Sequence, residues 1–275
     1  MQIENPVFLF READRQLFCR ERGGSFGKLT PEVIDQEMRF GKSPTQLHIH
    51  GITQEGLEHF ARRYGASCEV LYLDDCRGLT YLSPLKTLPK LAAVCLERCQ
   101  RVEALWQLSK NRRLRILSVR GCKKLTYNPC GLSASETLEE VRFWGEDSEH
   151  KFRMQSMAFL SGMSSLERLD LNNITLEDHS MSVLQTLPNL ETFHFDANML
   201  TTEEIAAICV RFPHIRGQSL GAYSMEDARA CGDVRICGYR KPTLTLPEQE
   251  DKLRMYVEQF DRIKERILKQ NLPEQ

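Results

Sequence analysis

A nine-residue pattern, L-x-x-L-x-L-x-x-C/N, recurs along most of this chain and restricts its fold more than any other feature. After a half-copy at 46–52, the clear copies cover Cys68–Cys76, Leu91–Cys99, Leu114–Cys122, Leu138–Glu146, Leu166–Ile174 and Leu190–Asn198. The fourth position of the pattern falls at residues 47, 71, 94, 117, 141, 169 and 193, so the intervals are 24, 23, 23, 24, 28 and 24 residues. Units repeated at such intervals predict a solenoid whose stacked units share one core.

The pattern has a direct physical meaning. Alternate side chains of a short strand point to opposite faces, so positions four and six enter the core together. The chain turns after each strand, and position nine is predicted to be buried beside the backbone groups of that turn, where the amide of Asn198 suits their hydrogen bonds. Cys76, Cys99 and Cys122 are small, easily buried residues at this position. We therefore predict that these three cysteines are core thiols rather than metal ligands or redox switches.

These copies resemble the leucine-rich-repeat superfamily, especially its irregular, cysteine-containing bacterial forms, over about residues 45–200. The resemblance implies an α/β solenoid, or horseshoe, with a parallel sheet on its concave side and helices on its convex side. It names no partner, because this fold serves many unrelated partners.

The connections between the strands carry helical signals of different strength. Thr53 is an N-cap candidate for a helix that Gly65 ends, and 202–212 has a similar pattern. The stretch 82–89 is long enough for only a turn or two. The longest interval predicts a fuller helix over 151–163, with an added loop at 145–150.

Both ends of a solenoid expose apolar surface unless something covers them. We assign 1–44 to an N-terminal cap, with Val7–Phe10 as a strand or plug and a helix from Pro31 to about Arg39. The solenoid spans 45–240 and ends in a final strand predicted at 233–239.

Residues 241–275 are predicted to form a hinge and a C-terminal amphipathic helix between 247 and 268. One apolar stripe at spacings of three and four residues comprises Leu253, Tyr256, Val257, Phe260, Ile263 and Ile267. We expect this helix to fold back over the solenoid; the alternative is a helix that binds a partner or a second copy.

Composition limits the classes of partner. The formal net charge of −1 argues against a general affinity for nucleic acid or acidic lipid. The N-terminus has no basic and apolar leader and no stretch is long enough to span a bilayer, so we expect a cytoplasmic chain with reduced thiols. The 10 cysteines include no Cys-x-x-Cys pair, and we expect neither a metal nor a cofactor.

Sequence motifs of catalysis are missing from the chain: it has no P-loop, no dinucleotide fingerprint, no His-Glu-x-x-His and no Gly-x-Ser-x-Gly. His48 and His50 form a His-x-His pair without an evident third ligand, and we expect a solvated pair at the edge of the concave face. Cys231 and Asp233 match a Cys-x-Asp nucleophile of bacterial repeat ubiquitin ligases, but the helical domain that carries it there is absent.

Positions three, five and seven of each copy are predicted to line the concave face, because positions four and six face the core. Tyr72 and Trp144 are large aromatics in this set, and such residues often anchor interfaces. The charges around them have mixed sign, which suits a specific protein better than a polyanion. The candidate partner-binding residues are Tyr72, Asp74, Glu97, Arg120, Arg142, Trp144, Arg168, Asp170, His194 and Asp196.

The sequence therefore predicts a non-enzymatic module that binds a protein through its concave face, with an immunity or inhibitor protein that masks a toxin or enzyme as the specific version. One alternative is a substrate adaptor that docks to a larger, ubiquitin-ligase-like assembly through residues 1–44. The other is an unrecognised enzyme that depends on Cys231 or His48.

Overall fold

The computed structural model describes residues 15–17, 19–20, 26–39, 44–126, 132, 135–146, 151–178, 180–225 and 233–270. Val7–Phe10, Cys231 and most of the loop predicted at 145–150 lie outside these ranges. No helix within the described ranges is both long and apolar enough to cross a membrane.

One eight-stranded sheet organises the molecule. Its strands, in spatial order, are β1 (Arg15–Leu17), β4 (Gln46–His50), β5 (Val70–Asp74), β6 (Ala93–Glu97), β7 (Ile116–Arg120), β8 (Glu140–Trp144), β10 (Arg168–Asn172) and β12 (Thr192–Phe195). Every neighbouring pair is parallel, and from β4 to β12 residues at the same pattern position lie side by side. Position four is fully buried in each repeat, at most 1% exposed. The chain is a leucine-rich-repeat solenoid of the α/β class, as the repeat predicts.

The first strand of the sheet lies inside the segment assigned to the cap. β1 pairs with β4, with Gln16 opposite His48. A short antiparallel pair, β2 (Cys19–Arg20) and β3 (Phe26–Gly27), and the helix α1 (Pro31–Met38) follow it. The cap therefore contributes a strand of its own to the solenoid sheet, which the sequence did not predict.

In five repeats the turn after the strand uses a left-handed residue at position eight. Gly51, Asp75, Arg98, Gly121 and Asn173 have φ values of +69°, +46°, +52°, +61° and +52°. The backbone N–H groups of the first four each donate to the position-seven carbonyl of the next strand, at 2.9–3.1 Å. The turn of one repeat is thus hydrogen-bonded to the strand of the next.

Position nine is buried where it is cysteine. Cys76, Cys99 and Cys122 are 0% exposed, and their thiols lie 3.3–3.8 Å from backbone carbonyls. The prediction of core thiols is confirmed for these three. The predicted burial of position nine is wrong for Asn198, which is only half-buried, while Ala197 beside it is buried.

Two connections are α-helical: α2 (Gln54–Arg63) and α3 (Thr202–Arg211). The Thr53 hydroxyl accepts the Gly56 N–H at 3.0 Å, and Thr201 forms a reciprocal capping box with Glu204. The connections also use short 3₁₀ turns, one of which follows α2. These turns are Gly65–Ser67, Ser83–Thr87, Leu108–Lys110, Lys123–Thr126, Ala158–Leu160 and Ser182–Thr186.

The helix predicted at 151–163 is wrong. The segment forms β9 (Phe152–Met154) and the turn Ala158–Leu160, and β9 pairs in parallel with β11 (Ile174–Leu176). Phe152 and Met154 are buried and Arg153 between them is exposed. That alternation has a period of two, which fits a strand and not a helix.

The C-terminal region departs from the repeat. The strand predicted at 233–239 is β14 (Asp233–Ile236), but it lies between β13 (Tyr223–Ser224) and β15 (Thr243–Thr245) in a separate antiparallel sheet. The last helix, α4 (Glu250–Gln270), begins three residues after the predicted start and contacts α3. Phe260 and Ile263 of α4 are buried in the same core cluster as the repeats. The helix is thus folded back on the solenoid.

Candidate protein interface

The open face is defined as the side of the eight-stranded sheet opposite the core, made by positions three, five and seven from β4 to β12. The register places His48, Tyr72, Cys95, Ser118, Arg142, Asp170 and His194 in one row. Nine of the ten candidate residues lie in these strands, and Asp196 follows directly after β12. The ten candidate residues fall into two groups according to the side chains that surround them.

The apolar patch is a cluster of five residues on the open face, separate from the core: Val70, Tyr72, Ala93, Cys95 and Ile116. It crosses β5, β6 and β7. Val70 and Tyr72 are half-buried, whereas Ala93, Cys95 and Ile116 are 4%, 8% and 7% exposed. Only Tyr72 was predicted. The sequence signal that was overlooked is the run of apolar residues at position three in three consecutive copies.

Tyr72 is held by its neighbours rather than projecting freely. Its ring stacks on the His48 ring at a centroid distance of 4.3 Å and an interplanar angle of 11°. Its hydroxyl donates a hydrogen bond to the Glu97 carboxylate. Burial, and then this bond, raise the pKa of Tyr72 far above its ordinary value. Tyr72 therefore lies on the open face but is fixed in place by its neighbours on the sheet.

The charged cluster lies at the end of the patch where the strands turn. It comprises Asp74, Glu97, Arg98, Arg120, His48 and His50. Asp74 Oδ2 is 3.2 Å from His50 Nδ1 and 3.5 Å from His48 Nε2. The two histidines are therefore partly buried around a carboxylate instead of forming the solvated pair that was expected. No group of three histidine, cysteine or acidic side chains within the described ranges is arranged to hold a metal ion.

Arg98 joins the two carboxylates of this cluster. Its guanidinium donates to Asp74 and, at 2.7 Å, to Glu97. Burial raises the pKa of Asp74, but the bonds from His48 and His50 and the charge of Arg98 outweigh it, and the net shift is downward. Arg98 was not a candidate because position eight was treated only as a turn. The sequence signal for Arg98 was a long cationic side chain at position eight, where a left-handed backbone favours glycine, asparagine or aspartate.

A cleft of about 590 Å³ occupies the other half of the face, over β8, β10 and β12. Six of the ten candidates line it: Arg142, Trp144, Arg168, Asp170, His194 and Asp196. The sequence missed Glu140, which is 6% exposed and paired with Arg142, because an acid at position three looked like surface. It also missed Gln218, Ser219 and Ser224, which lie beyond the last clear copy.

Trp144 and His194 bring covered nitrogen atoms to the wall of this cleft. The indole Nε1 and the imidazole Nδ1 are buried, and neither has a hydrogen-bond partner among the residues described. Trp144 is half-buried and Arg120 lies over its ring, 5.9 Å from the centroid. Burial, and then the charges of Arg142 and Arg168, lower the pKa of His194.

Among the described residues, the open face carries one thiol and several paired charges. Cys95 is the thiol on the open face, and burial raises its pKa to about 12, which keeps it protonated near neutral pH. The charged side chains of the open face are mostly paired with one another, and the apolar patch lies beside them. Such an arrangement resembles the core and rim of a protein interface.

Comparison with known proteins adds little beyond the fold. No protein-family model and no curated protein matches the chain. An internalin C2 from Listeria monocytogenes is similar in structure, with 19% sequence identity and a TM-score of 0.38. The match covers 55% of this chain and 61% of the internalin, so this chain spans less than two thirds of the internalin's length. A second internalin of that species, InlF, matches at 12% identity and a TM-score of 0.30, over 63% and 67%. By its own repeat register and parallel sheet, the chain has the leucine-rich-repeat fold.

Proposed function

We propose that this chain is a non-enzymatic module that binds a protein through the open face of its sheet. The observation that carries the proposal is the apolar patch. A sheet face turned away from the core commonly carries polar residues, so five clustered apolar side chains there are not explained by the core alone. Apolar surface of this kind, bordered by charges, is typical of the centre of an interface.

The ordering of the face supports the same proposal. Tyr72 is fixed by His48 and Glu97, and Asp74 by His48, His50 and Arg98. Side chains that are already ordered lose little conformational entropy when a partner arrives. Paired charges of both signs also discriminate between partners by electrostatic fit.

The specific version of the proposal is a cytoplasmic immunity or inhibitor protein that masks a toxin or enzyme. A preordered face spread over several repeats suits it, because it covers a broad area of the target at a small entropic cost. The adaptor alternative requires residues 1–44 to serve another assembly. The pairing of β1 with β4 argues for a role within the solenoid instead.

Affinity capture from the native host tests the binding proposal. We compare the wild type with a Tyr72→Ala/Trp144→Ala variant on the open face. The matched control is Tyr81→Ala/Tyr239→Ala, which removes two aromatics that are 45% and 56% exposed outside that face. The face variant is expected to retain its circular dichroism spectrum and to lose about tenfold or more of the captured partner. Equal recovery by all three proteins contradicts the proposal.

The inhibitor version needs a second measurement. The captured partner is purified and its enzymatic or toxic activity is measured with increasing amounts of the chain. Activity is expected to fall to a low plateau at one equivalent. If activity stays unchanged while the complex forms, the inhibitor role is wrong and the binding role stands.

A further inference from the structure

A second surface of the solenoid carries uncompensated positive charge. It lies on the two turns that precede β6 and β7, residues 83–91 and 108–115, neither of which contains an acidic residue. Five exposed cations define this basic edge: Lys86, Lys90, Lys110, Arg112 and Arg113. None of them belongs to the open face.

The repeat register brings these cations together. Lys90 and Arg113 each lie three residues before their strand, and β6 and β7 are paired in register. Equivalent residues of neighbouring parallel strands lie about 4.8 Å apart, so the two turns run side by side. Asn111 fixes them to each other, because its amide Nδ2 donates to the carbonyls of Leu85 at 3.0 Å and Leu88 at 2.9 Å.

The five cations of the basic edge have no counter-ion among the described residues. By contrast, Arg115 pairs with Glu139 and Lys124 with Glu103, each at 2.8 Å. The corresponding turns of later repeats carry acids instead, at Glu136, Glu167 and Glu191. A chain of net charge −1 thus concentrates unpaired positive charge in one place.

We propose that the basic edge binds an acidic segment of a protein partner, rich in aspartate or glutamate. Guanidinium groups bind carboxylates in bidentate geometry, and Arg112 and Arg113 add to the charge of the lysines. The two turns contain no aromatic residue on which a nucleic-acid base can stack. Their leucines are buried and, of their apolar residues, only Pro84 and Pro89 reach the surface, so the edge has no large apolar side chain to insert into a bilayer. These features favour a carboxylate-bearing peptide over a nucleic acid or a lipid surface.

The test uses a fluorescein-labelled peptide of alternating glutamate and glycine, a glutamine version of it, and fluorescence anisotropy. The edge variant is Lys90→Gln/Arg112→Gln/Arg113→Gln. The control, Lys151→Gln/Arg153→Gln/Arg211→Gln, removes three cations that are also exposed and changes the net charge equally. The edge variant is expected to weaken binding of the glutamate peptide about tenfold or more, and the control less than about twofold.

Equal weakening in both variants overturns the proposal, because net charge and not the basic edge would then govern binding. Equal affinity of the wild type for the glutamate and glutamine peptides also overturns it. A single-stranded oligonucleotide or an anionic vesicle that binds the edge more tightly than the peptide would show that the partner class is wrong. Tyr72→Ala/Trp144→Ala is expected to bind the peptide like the wild type, which separates this surface from the open face.

Discussion

The indole N–H of Trp106 donates a hydrogen bond of 2.7 Å to Oδ1 of Asn111 inside the core. The chain has one other tryptophan, Trp144, and its buried indole N–H lacks an acceptor among the residues described. The two indole N–H groups therefore differ in their expected effect on the stability of the fold. One donor is satisfied in a buried network, and the other is desolvated without compensation.

Substituting phenylalanine for each tryptophan is expected to have opposite effects. Trp106→Phe leaves Asn111 Oδ1 unpaired and is expected to lower the free energy of unfolding by about 2 kcal/mol or more. Trp144→Phe removes a donor that has no acceptor, and the free energy of unfolding is expected to stay within about 0.5 kcal/mol of the wild type or to rise. Urea denaturation followed by far-ultraviolet circular dichroism measures both. A larger loss for Trp144→Phe would contradict the difference.

Asn111 itself is expected to be among the most sensitive polar residues. Asn111→Ala removes two donated bonds and one accepted bond at a site that is 1% exposed, so a loss of about 3 kcal/mol is expected. Asn189 also donates to a backbone carbonyl, that of Ser164 at 2.7 Å, but its side chain is exposed. Asn189→Ala is therefore the control, with an expected loss below about 1 kcal/mol in the same denaturation experiment. Similar losses for the two variants would show that burial does not set the cost.

Glycine substitution at two left-handed residues separates backbone strain from charge pairing. Arg98→Gly relieves a φ of +52° but leaves Asp74 and Glu97 without their shared cation. Since the guanidinium is partly exposed and screened, we expect a net loss of about 1 kcal/mol. Asp75→Gly relieves a φ of +46° and breaks only an exposed pair with Arg77, so no loss is expected. Thermal unfolding compares the two, and greater destabilisation by Asp75→Gly would refute this assignment.

Acid is expected to weaken the charged cluster through Asp74. Its folded-state pKa lies below its ordinary value, so the ionised carboxylate stabilises the fold above the unfolded-state pKa of about 4. That contribution is lost as pH falls through the folded-state pKa. Asp74→Asn cannot titrate, and between pH 6 and pH 3 its urea midpoint is expected to fall less than that of the wild type. Parallel pH profiles for the two proteins would mean that Asp74 contributes nothing to acid sensitivity.

The strands could be predicted because core-facing residues alternate with residues of the open face, and this alternation is visible over a few neighbouring positions. Positions four and six needed only the spacing of Leu71 and Leu73 to be assigned, and their register followed from the repeat. The connections were harder: Phe152 and Met154 were predicted to lie in a helix, and the pairing of Phe152 with Ile174 shows that they lie in a strand. The strand β1 carries no copy of the pattern, and its place beside β4 depends on tertiary contacts.

The sequence predicted which residues lie on the open face, but not how exposed each side chain is there. Alternation places Tyr72 and Trp144 on the open face, and the structure puts them there. Whether a side chain on a sheet faces solvent depends on its neighbours across the strands, such as His48 beside Tyr72. Arg98 escaped notice for a related reason. Its role depends on a left-handed backbone that directs its guanidinium toward Asp74, and a long cation at position eight was the only sign of this in the sequence.

The left-handed turn at position eight limits how proteins with this architecture can change in length. Four of these turns are hydrogen-bonded to the following strand, so an insertion between positions four and nine there would break the bonds of two repeats at once. An insertion in a connection disturbs neither. The 28-residue interval after Val141 follows this rule, because its additional residues form β9 and leave the paired strands in register. Natural length variants are therefore expected to gain or lose whole repeats, or to differ between strands.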